Sequence, residues 1–435
     1  MSWWFKAELW KRVMIGLVAG LVVGLSIRLG MGLESASEFT TNWIKPWGDA
    51  FVRLIRMLIV PLIAATLIAG IVSMGDASTL RKVGVRAFGL YGLTTLGAII
   101  LGLSAALIFN PGIGVEFPEL TESVAQDVET RLDAAASASA SLTDRLLAII
   151  PSNPIAAMVS GDILGVIFFS IMFGIGILFA GEQGKAIGKA IDSASSSLIS
   201  LTDKIMDLAP FGVFALMVWV ASTQDYELML SFVKLTLVLY GVCLIQILIV
   251  YPTILIVFGR ESPARFFRGM SSAMAIAYST ASSAATLPAT IESLVKNLGV
   301  KRSNATGVAA IGSTINMDGA AIYLSLVCIF ALQASGQPVT MNTVMTIAVL
   351  ATLGSVGAAG IPNGGLFMSA ALLTALGFSA EQVIFFVAIL FPFDRVLDMM
   401  RTLTNVTGDA TVATCVDRSL TRQDSVHTQT NEGTA

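Results

Sequence analysis

Residues 271–290 read SSAMAIAYSTASSAATLPAT, a stretch of small and hydroxylated residues with Pro288 inside an otherwise apolar region. Apolar runs of about ten residues flank it, and runs that short suit two helices that enter a membrane and turn back. Irregular backbone at membrane depth persists only where protein or a wet cavity covers it, because lipid cannot satisfy free N–H and C=O groups. The stretch predicts a re-entrant helical hairpin. Ordinary packing of small residues between helices is the alternative.

A second interrupted stretch has the same character. Residues 354–370 read GSVGAAGIPNGGLFMSA. Each stretch is followed by a longer helix with a polar break, NMDGA at 316–320 and DRVLDMMRTLTNVTGDA at 394–410. The chain therefore contains a hairpin-plus-helix unit twice, and the distribution of Lys and Arg predicts that the second unit is inverted in the membrane. Paired interruptions of this kind indicate a transport site at the interface of the repeats.

The rest of the chain reads as ordinary membrane spans. Of its 435 residues, 55% are hydrophobic and 13% are charged, about half of the ~25% charged residues usual in soluble domains. That composition excludes a soluble globule. Six further apolar runs predict spans at 13–33, 51–74, 84–109, 161–181, 205–222 and 229–258. The predicted fold class is an all-α polytopic membrane protein with eight transmembrane helices, two re-entrant hairpins and inverted repeats.

Charges and special residues narrow the function further. The basic residues flanking the spans predict that both termini are cytoplasmic, and the first apolar run continues too far for a cleaved signal peptide. His427, the only histidine, lies in a polar tail, which removes imidazole from any site inside the membrane. Cys243, Cys328 and Cys415 lie in or beside apolar runs, so neither disulfides nor zinc are expected. The net charge of -3 gives no reason to expect nucleic acid as a partner.

One face of the last predicted helix is ionic. At 100° per residue, Asp394, Asp398, Arg401, Asn405 and Asp409 point to about 0°, 40°, -20°, 20° and 60°, and we call these five residues the ionic face. Ionisable groups at membrane depth are a functional hypothesis by default. A single positive charge cannot neutralise the three acids, which predicts that a cationic group must bind. The alternative is an internal salt bridge between Asp398 and Arg401.

A second acidic centre is predicted at NMDGA, where Asp318 lies at a break in the preceding helix. Unwound carbonyls there become available as ligands, and hard cations prefer oxygen-rich shells. A tight turn in which Asp318 caps a helix is the alternative. Hydroxyl groups of Tyr91, Thr94 and Thr95 on the third span would complete a site around Asp318, although such residues also serve in helix packing.

These motifs resemble those of the glutamate transporter family of dicarboxylate and amino-acid:cation symporters. The resemblance covers nearly the whole chain and is carried by SSAATLP, NMDG, GAAGIP and the DxxxDxxRTxxNVTGD helix. It implies a homotrimer with an elevator mechanism, in which spans one, two, four and five form a fixed scaffold. The implied domains are 1–83 (scaffold), 84–145 (third span and an acidic external loop), 146–228 (scaffold), 229–420 (transport domain) and 421–435 (disordered cytoplasmic tail).

Carried over residue by residue, the resemblance also implies ligands. Arg401 would hold a side-chain carboxylate, Asp398 and Thr402 the amino group, and Asn405 the α-carboxylate. The implied substrate-binding set is Ser283, Ala320, Ile361, Gly365, Asp398, Arg401, Thr402 and Asn405. Three sodium sites are implied. The first consists of Gly312, Asn316, Asn405 and Asp409, the second of Asn316, Asp318, Thr94 and Thr95, and the third of Thr314, Ser355, Val356 and Ala358. Tyr91 and Met317 are further residues of the implied sodium-binding set.

Departures from the family pattern bear on the substrate. Ala320 stands where acidic amino-acid carriers usually have threonine, Ala284 replaces a serine, and Asn363 changes the second interrupted stretch. Asp409 favours sodium over proton coupling, and Leu324 stands where mammalian-type members have glutamate, so proton and potassium coupling are not expected. The prediction is a cell-membrane symporter of sodium and an acidic amino acid, with no organic cofactor and no enzymatic activity.

Other functions remain open at this point. One is a sodium-coupled carrier of another organic anion, an amino sulfonate or a dicarboxylate. Another is an anion channel, which predicts current without solute accumulation. An intramembrane hydrolase using Ser283 with Asp398 is disfavoured, because neither a histidine nor a suitably placed lysine is available as a base.

Overall fold

A computed structural model of the chain describes residues 9–72, 85–114, 150–160, 163–223, 226–357 and 364–432. All regular elements within these ranges are helical. The α-helices are α1 (Leu9–Met31), α2 (Leu33–Trp43), α3 (Lys45–Val72), α4 (Val85–Phe109), α5 (Pro154–Ser160), α6 (Ile163–Phe179), α7 (Lys185–Met206), α8 (Ala209–Thr223), α9 (Tyr226–Ile245), α10 (Tyr251–Ile254), α11 (Pro263–Thr280), α12 (Ser283–Lys296), α13 (Arg302–Ile315), α14 (Asp318–Ala334), α15 (Met341–Gly357), α16 (Gly364–Ala375) and α17 (Ala380–Glu432). Two π-helical turns, Gln246–Val250 and Leu255–Gly259, flank α10.

Four helical stretches of the described chain are long and apolar enough to cross a membrane. They are Lys11–Met31, Arg86–Phe109, Leu230–Gly259 and Arg302–Ala334. A fifth arises if α7 and α8, which meet at an angle of 50°, form one bent span. Within the described residues, each of the six spans predicted from apolar runs is helical over most of its length, although the one at 205–222 straddles the bend between α7 and α8.

The stretch Arg302–Ala334 lies in the middle of the protein. In its most apolar window, 94% of the residues are buried inside the molecule, whereas the corresponding value for Lys11–Met31 is 22%. Helices α13 and α14, which form this central stretch, therefore contact other helices on all sides. Helix α1 presents most of its surface outward. Packing of α14 against α17 is close: a Cβ added to Gly319 would collide with the backbone of Arg401.

The first interrupted stretch forms a helical hairpin from α11 and α12. Ala281 turns the chain with φ 51°, and the Ser282 side chain then accepts a hydrogen bond from the backbone N–H of Ala285, 3.2 Å away, as an N-cap. Near the turn, the hydroxyl oxygens of Thr280 and Thr286 are 3.3 Å apart. At the opposite end, Asn297 Nδ2 donates to the carbonyl of Gly269 at 2.7 Å. The two arms therefore lie side by side and run in opposite directions.

The second interrupted stretch supplies α15 and α16, which also pack against each other. A Cβ at Gly354 would lie 3.0 Å from side-chain atoms of both Met368 and Leu372, so glycine permits this close approach. Residues 358–363, which join the two helices and include Ile361 and Ala358 of the implied sites, lie outside the described residues.

The predicted polar break after the first hairpin is present, and the one after the second is not. Asn316 and Met317 leave the helical conformation, with ψ of 86° and 70°, between α13 and α14. Helix α17, by contrast, runs unbroken through 394–410. The prediction of a second break was wrong because the polar residues there bond along the helix: Thr404 donates to the Met400 carbonyl at 2.9 Å, and Thr407 to the Leu403 carbonyl at 2.7 Å.

The C-terminal segment also differs from expectation. We predicted a disordered tail over 421–435, whereas α17 continues to Glu432. The sequence TRQDSVHTQTNE at 421–432 contains neither glycine nor proline, and the first glycine after it is Gly433. The usual helix-terminating residues are therefore missing until the last positions of the chain.

Helix α1 packs on α8 through glycines spaced by four residues. Gly16, Gly20 and Gly24 face the carbonyl groups of Pro210, Phe214 and Val218, respectively. A Cβ at Gly20 would lie 2.7 Å from the Phe214 oxygen and 2.9 Å from Met217 Cβ. Small residues at this spacing let two membrane helices approach closely, so dispersion contacts between backbones hold the pair together.

We expect Gly20→Leu to force α1 away from α8 and to destabilise the protein by about 1–3 kcal/mol, as overpacking does. The measurement is thermal unfolding of the detergent-solubilised protein. Gly30→Leu is the matched control, because Gly30 lies on the same helix with nothing within 4 Å of its added Cβ. Equal midpoints of thermal unfolding for the two variants would show that the contact of Gly20 with α8 contributes nothing to stability.

Candidate substrate and cation site

All five residues of the ionic face are buried. Their exposed fractions are 0% for Asp394, 5% for Asp398, 1% for Arg401, 5% for Asn405 and 2% for Asp409. The helical periodicity that predicted one shared face is confirmed by the continuous helix α17. Burial of this many ionisable groups is expensive unless each finds a partner, so the partners define the site.

Arg401 is held on one side and open on the other. Its Nη2 lies 2.8 Å from Asp398 Oδ1 and 3.0 Å from Asp394 Oδ1. The guanidinium also stacks on the ring of Tyr323, 3.9 Å from the ring centroid, which stabilises the cation. Within the described residues, Nη1 is buried and has no hydrogen-bond partner. The internal salt bridge is therefore present, and one donor of the guanidinium remains available for an anion.

Gly365 explains how that side of Arg401 stays open. A Cβ at this position would lie 2.7 Å from Nη1, so any larger side chain would fill the space next to the free donor. Gly365 is the second residue of α16, and this helix begins directly after residues 358–363. The structure thus brings Gly365 and Arg401, both in the implied substrate-binding set, next to each other.

A second buried guanidinium, which was not predicted from the sequence, belongs to Arg395. Arg395 is 4% exposed, and its Nη2 donates to the carbonyls of Thr280 at 3.1 Å and Ser279 at 3.4 Å, at the end of the first arm of the first hairpin. The premise of a single positive charge was therefore wrong: Arg395 and Arg401 together balance Asp394 and Asp398. Arg395 points to about 100° on the helix, only 40° beyond Asp409, and that proximity could have revealed it.

Asp318, at the break, is surrounded by hydroxyl donors. It is 0% exposed, and its Oδ1 accepts from Thr95 Oγ1 at 2.8 Å and from Thr94 Oγ1 at 3.3 Å. The two threonine hydroxyls also lie 3.3 and 3.1 Å from Asn316 Oδ1. The structure thus brings α4 and the break together, as the sequence predicted. Asp318 is the first residue of α14 but makes no side-chain cap there.

Two residues of the sixth predicted span complete the surroundings of Asp318, and neither was predicted from the sequence. Tyr251 donates from its hydroxyl to Asp318 Oδ2 at 2.8 Å, and Gln246 Nε2 lies 3.5 Å from the same oxygen. They are five residues apart, a spacing of about 140° in an α-helix. The π-helical turn Gln246–Val250 brings them onto one face, which sequence periodicity does not reveal.

Asp409 faces the same break from the other side. Its Oδ1 accepts from Asn316 Nδ2 at 3.3 Å, and a Cβ at Gly312 would collide with the carboxylate. Tyr91 lies beside Gly312 but donates to the carbonyl of Val308 at 2.7 Å instead of an acid. Asn316 therefore donates to Asp409 through its Nδ2, and its Oδ1 shares the hydroxyls of Thr94 and Thr95 with Asp318.

No basic side chain of the described chain lies within ion-pair distance of Asp318 or Asp409. The quartet Asp394, Asp398, Arg395 and Arg401 is neutral as a group, whereas these two buried carboxylates are uncompensated. Hydroxyls and amides are their only partners among the described residues. Such oxygen-rich surroundings suit a hard monovalent cation at each acid.

The remaining implied ligands are distributed around this centre. Ser283 (3% exposed) begins α12, Ala320 (4%) and Met317 (2%) lie at the break, and Thr402 (4%) follows Arg401. Asn405 Oδ1 accepts from the backbone N–H of Gly319 at 2.7 Å, which fixes its amide. Ser355 Oγ donates within its own helix to the Thr352 carbonyl at 2.8 Å.

Thr314 and Val356 line an apolar cavity of about 360 Å³. Residues of α3, α4 and α6 and of the C-terminal ends of α13 and α15 form its walls. The Thr314 hydroxyl donates to the Ile311 carbonyl at 2.9 Å. The structure thus brings Thr314 and Val356 of the implied third site to one cavity.

Comparison with known proteins gives a consistent result. Residues 9–419 match the sequence profile described as the sodium:dicarboxylate symporter family. The chain is 32% identical over 373 residues to a proton/sodium-glutamate symport protein of Geobacillus stearothermophilus, which covers 86% of each chain. It is 30% identical to a proton/glutamate-aspartate symporter of Escherichia coli (87% of this chain, 85% of the other) and 32% identical to a C4-dicarboxylate transport protein of Pseudomonas aeruginosa (86% and 84%).

Proposed function

Because this chain belongs to the sodium:dicarboxylate symporter family, it is a sodium-coupled symporter of acidic amino acids or dicarboxylates, and we propose that its own substrate is an acidic amino acid. The proposal is supported chiefly by the hydrogen bonding of Arg401. Its buried Nη1 lacks a partner among the described residues, and its Nη2 binds Asp398. A substrate carboxylate would bind the guanidinium, and the substrate ammonium would bind Asp398.

An acidic amino acid replaces each half of this internal pair with a group of the same charge. When the substrate enters, its carboxylate takes the place of Asp398 on Arg401, and its ammonium takes the place of Arg401 on Asp398. Arg401 and Asp398 each keep a partner of opposite charge, and the second carboxylate of the substrate would lie beside Asn405. A dicarboxylate without an amine would leave Asp398 unpaired beside an anion, and breaking a buried pair in that way costs about 3–5 kcal/mol.

The two uncompensated acids support two cation sites. One sodium ion would bind Asp409 with Gly312, Asn316 and Asn405, and another would bind Asp318 with Asn316, Thr94 and Thr95. Uncompensated carboxylates at both places provide the negative charge that the cations need. A third ion, on carbonyls near Thr314, Ser355, Val356 and Ala358, would balance the net negative charge that an acidic amino acid brings.

A C4-dicarboxylate is the second candidate substrate. It is favoured by Ala320, which lacks the hydroxyl of the threonine usual in acidic amino-acid carriers, and by the similarity to a C4-dicarboxylate transport protein. Arg395 adds to this candidate, because a second guanidinium near Asp398 offers a positive charge that an amine-free substrate does not bring. The competition experiment below separates the two.

We further propose the architecture that the resemblance implies. Eight spans and two re-entrant hairpins, with the second unit inverted, would form a scaffold (1–83 and 146–228) and a transport domain (84–145 and 229–420). Both termini would be cytoplasmic. The transport domain would move as an elevator within a homotrimer. The apolar cavity at the border supports this arrangement, since loosely filled space between α3, α6 and the helices α13 and α15 suits surfaces that slide.

The substrate and its coupling are tested together by uptake in proteoliposomes. With an inward sodium gradient we expect accumulation of aspartate or glutamate, and near-complete loss when choline replaces sodium. Neutral amino acids and amino sulfonates should compete poorly. Succinate that competes as well as aspartate would favour the dicarboxylate candidate, and accumulation that persists in choline would contradict sodium coupling. Current without accumulation would identify a channel.

A further inference from the structure

The phenolic oxygen of Tyr251 lies between the cation centre and the substrate helix. It is 2.8 Å from Asp318 Oδ2 and 3.1 Å from the carbonyl oxygen of Thr404 on α17, and the side chain is 0% exposed. A phenol has one hydrogen to donate. The two acceptors therefore compete for a single hydrogen bond.

The two acceptors belong to the two halves of the site. Asp318 is one of the uncompensated acids, and Thr404 precedes Asn405, which is hydrogen bonded to Gly319 at the break. Tyr251 also packs tightly on α17: a Cβ at Gly408 would lie 2.7 Å from its hydroxyl. The hydroxyl thus contacts α17 between Arg401 and Asp409.

We propose that Tyr251 is a positioning residue that couples cation binding at Asp318 to the substrate-binding geometry of α17. This inference rests on the cation site proposed at Asp318. A cation on that carboxylate repels the phenolic hydrogen and weakens its bond to Oδ2, so the hydrogen turns to the Thr404 carbonyl. Bonding to Thr404 then fixes the part of α17 that carries Thr402 and Asn405.

Coupling of this kind is reciprocal. A substrate that holds α17 in its binding geometry favours the bond from Tyr251 to Thr404, which leaves Asp318 free to bind its cation. The hydroxyl therefore makes the cation and the substrate each strengthen the binding of the other. Removal of the hydroxyl should weaken this mutual effect more than it weakens either binding event alone.

Tyr251→Phe tests the proposal with the loss of one oxygen. The readout is the substrate Kd in purified full-length protein, measured across a series of sodium concentrations. We expect the dependence of Kd on sodium to shrink by roughly tenfold across the series, within the range of ordinary coupling energies. An unchanged sodium dependence in Tyr251→Phe would overturn the proposal.

Tyr240→Phe is the matched control. Tyr240 lies on the same span and donates to the Val396 carbonyl of the same helix α17 at 2.8 Å, but it has no carboxylate within hydrogen-bond distance. We expect this variant to keep the wild-type sodium dependence. Equal loss in both variants would assign the effect to packing of the span and would contradict the proposal.

Two further variants keep the outcomes distinct. Asp318→Asn should itself reduce the sodium dependence, and Tyr251→Phe added to it should have no further effect, because both act through one contact. If Asp318→Asn leaves the sodium dependence unchanged, the cation site fails and not only the coupling. If Tyr251→Phe does not fold, 3-fluorotyrosine at position 251 keeps the packing and alters the donor strength, and an unaltered sodium dependence there would equally overturn the proposal.

Discussion

Uptake of acidic substrates should fall by roughly 10- to 150-fold in Arg401→Cys, since a hydrogen bond to a charged group contributes about 1.5–3 kcal/mol. The guanidinium is 1% exposed and offers a free Nη1, whereas the second buried guanidinium, Arg395, is bound through its Nη2 to the carbonyls of the first hairpin. Preference should move toward neutral amino acids, because Asp398 remains to bind an ammonium group. The measurement is competition of acidic and neutral amino acids for uptake in proteoliposomes.

A loss of folding must be separated from a loss of substrate binding in this variant. Removing Arg401 leaves Asp394 and Asp398 without their shared partner, so Asp394→Asn is added to restore the charge balance. Arg418→Cys is the control on the same helix, where Arg418 binds Glu261 at 2.8 Å, remote from the ionic face. An unchanged ratio of acidic to neutral uptake in Arg401→Cys would refute the role of Arg401 as the carboxylate ligand.

The second large effect concerns sodium. We expect Asp409→Asn to lower the apparent sodium affinity by roughly 100-fold, because a neutral amide of the same shape cannot balance the charge of a cation. Asp409 is 2% exposed, and its oxygen contacts only the amide of Asn316, at 3.3 Å, among the hydrogen bonds of the described chain. The measurement is the sodium concentration that gives half-maximal uptake.

Asp417→Asn is a matched control for this prediction. Asp417 lies two turns further along α17 and is 1% exposed, but its Oδ1 accepts from the Lys301 backbone at 3.1 Å and from Asn304 Nδ2 at 2.8 Å. Asp417 therefore joins α17 to the N-terminal end of α13. We expect lower thermal stability and unchanged sodium affinity in Asp417→Asn. Similar sodium affinity in the two variants would remove the Asp409 site.

Residue spacing predicted much of the candidate site. The ionic face follows from helical periodicity, and the break at Asn316 and Met317 follows from polar residues inside an apolar run. The cluster of Thr94 and Thr95 with Asp318 was predicted as well, with helix packing as the alternative, because these hydroxyls form a conspicuous polar patch on an apolar span. These features are local in sequence, or are carried by residue types that stand out against an apolar background.

The features that escaped prediction depend on tertiary contacts. Arg395 lies about 40° beyond the edge of the ionic face, and its role is set by the carbonyls of Ser279 and Thr280, which the sequence alone does not place beside it. Tyr251 and Gln246 meet Asp318 only because a π-helical turn changes their register. The unbroken course of α17 through 394–410 depends on threonine hydroxyls that bond within the helix and keep the backbone regular.

The two uncompensated carboxylates have an electrical consequence for the transport cycle. With Asp318 and Asp409 ionised and no cation bound, a moving transport domain would carry two negative charges across the bilayer. Each charge that crosses the full field gains or loses about 2.3 kcal/mol per 100 mV. In the proposed elevator cycle, a cell interior that is negative would therefore push the empty carrier outward, and the resting voltage would speed its return as well as draw sodium in.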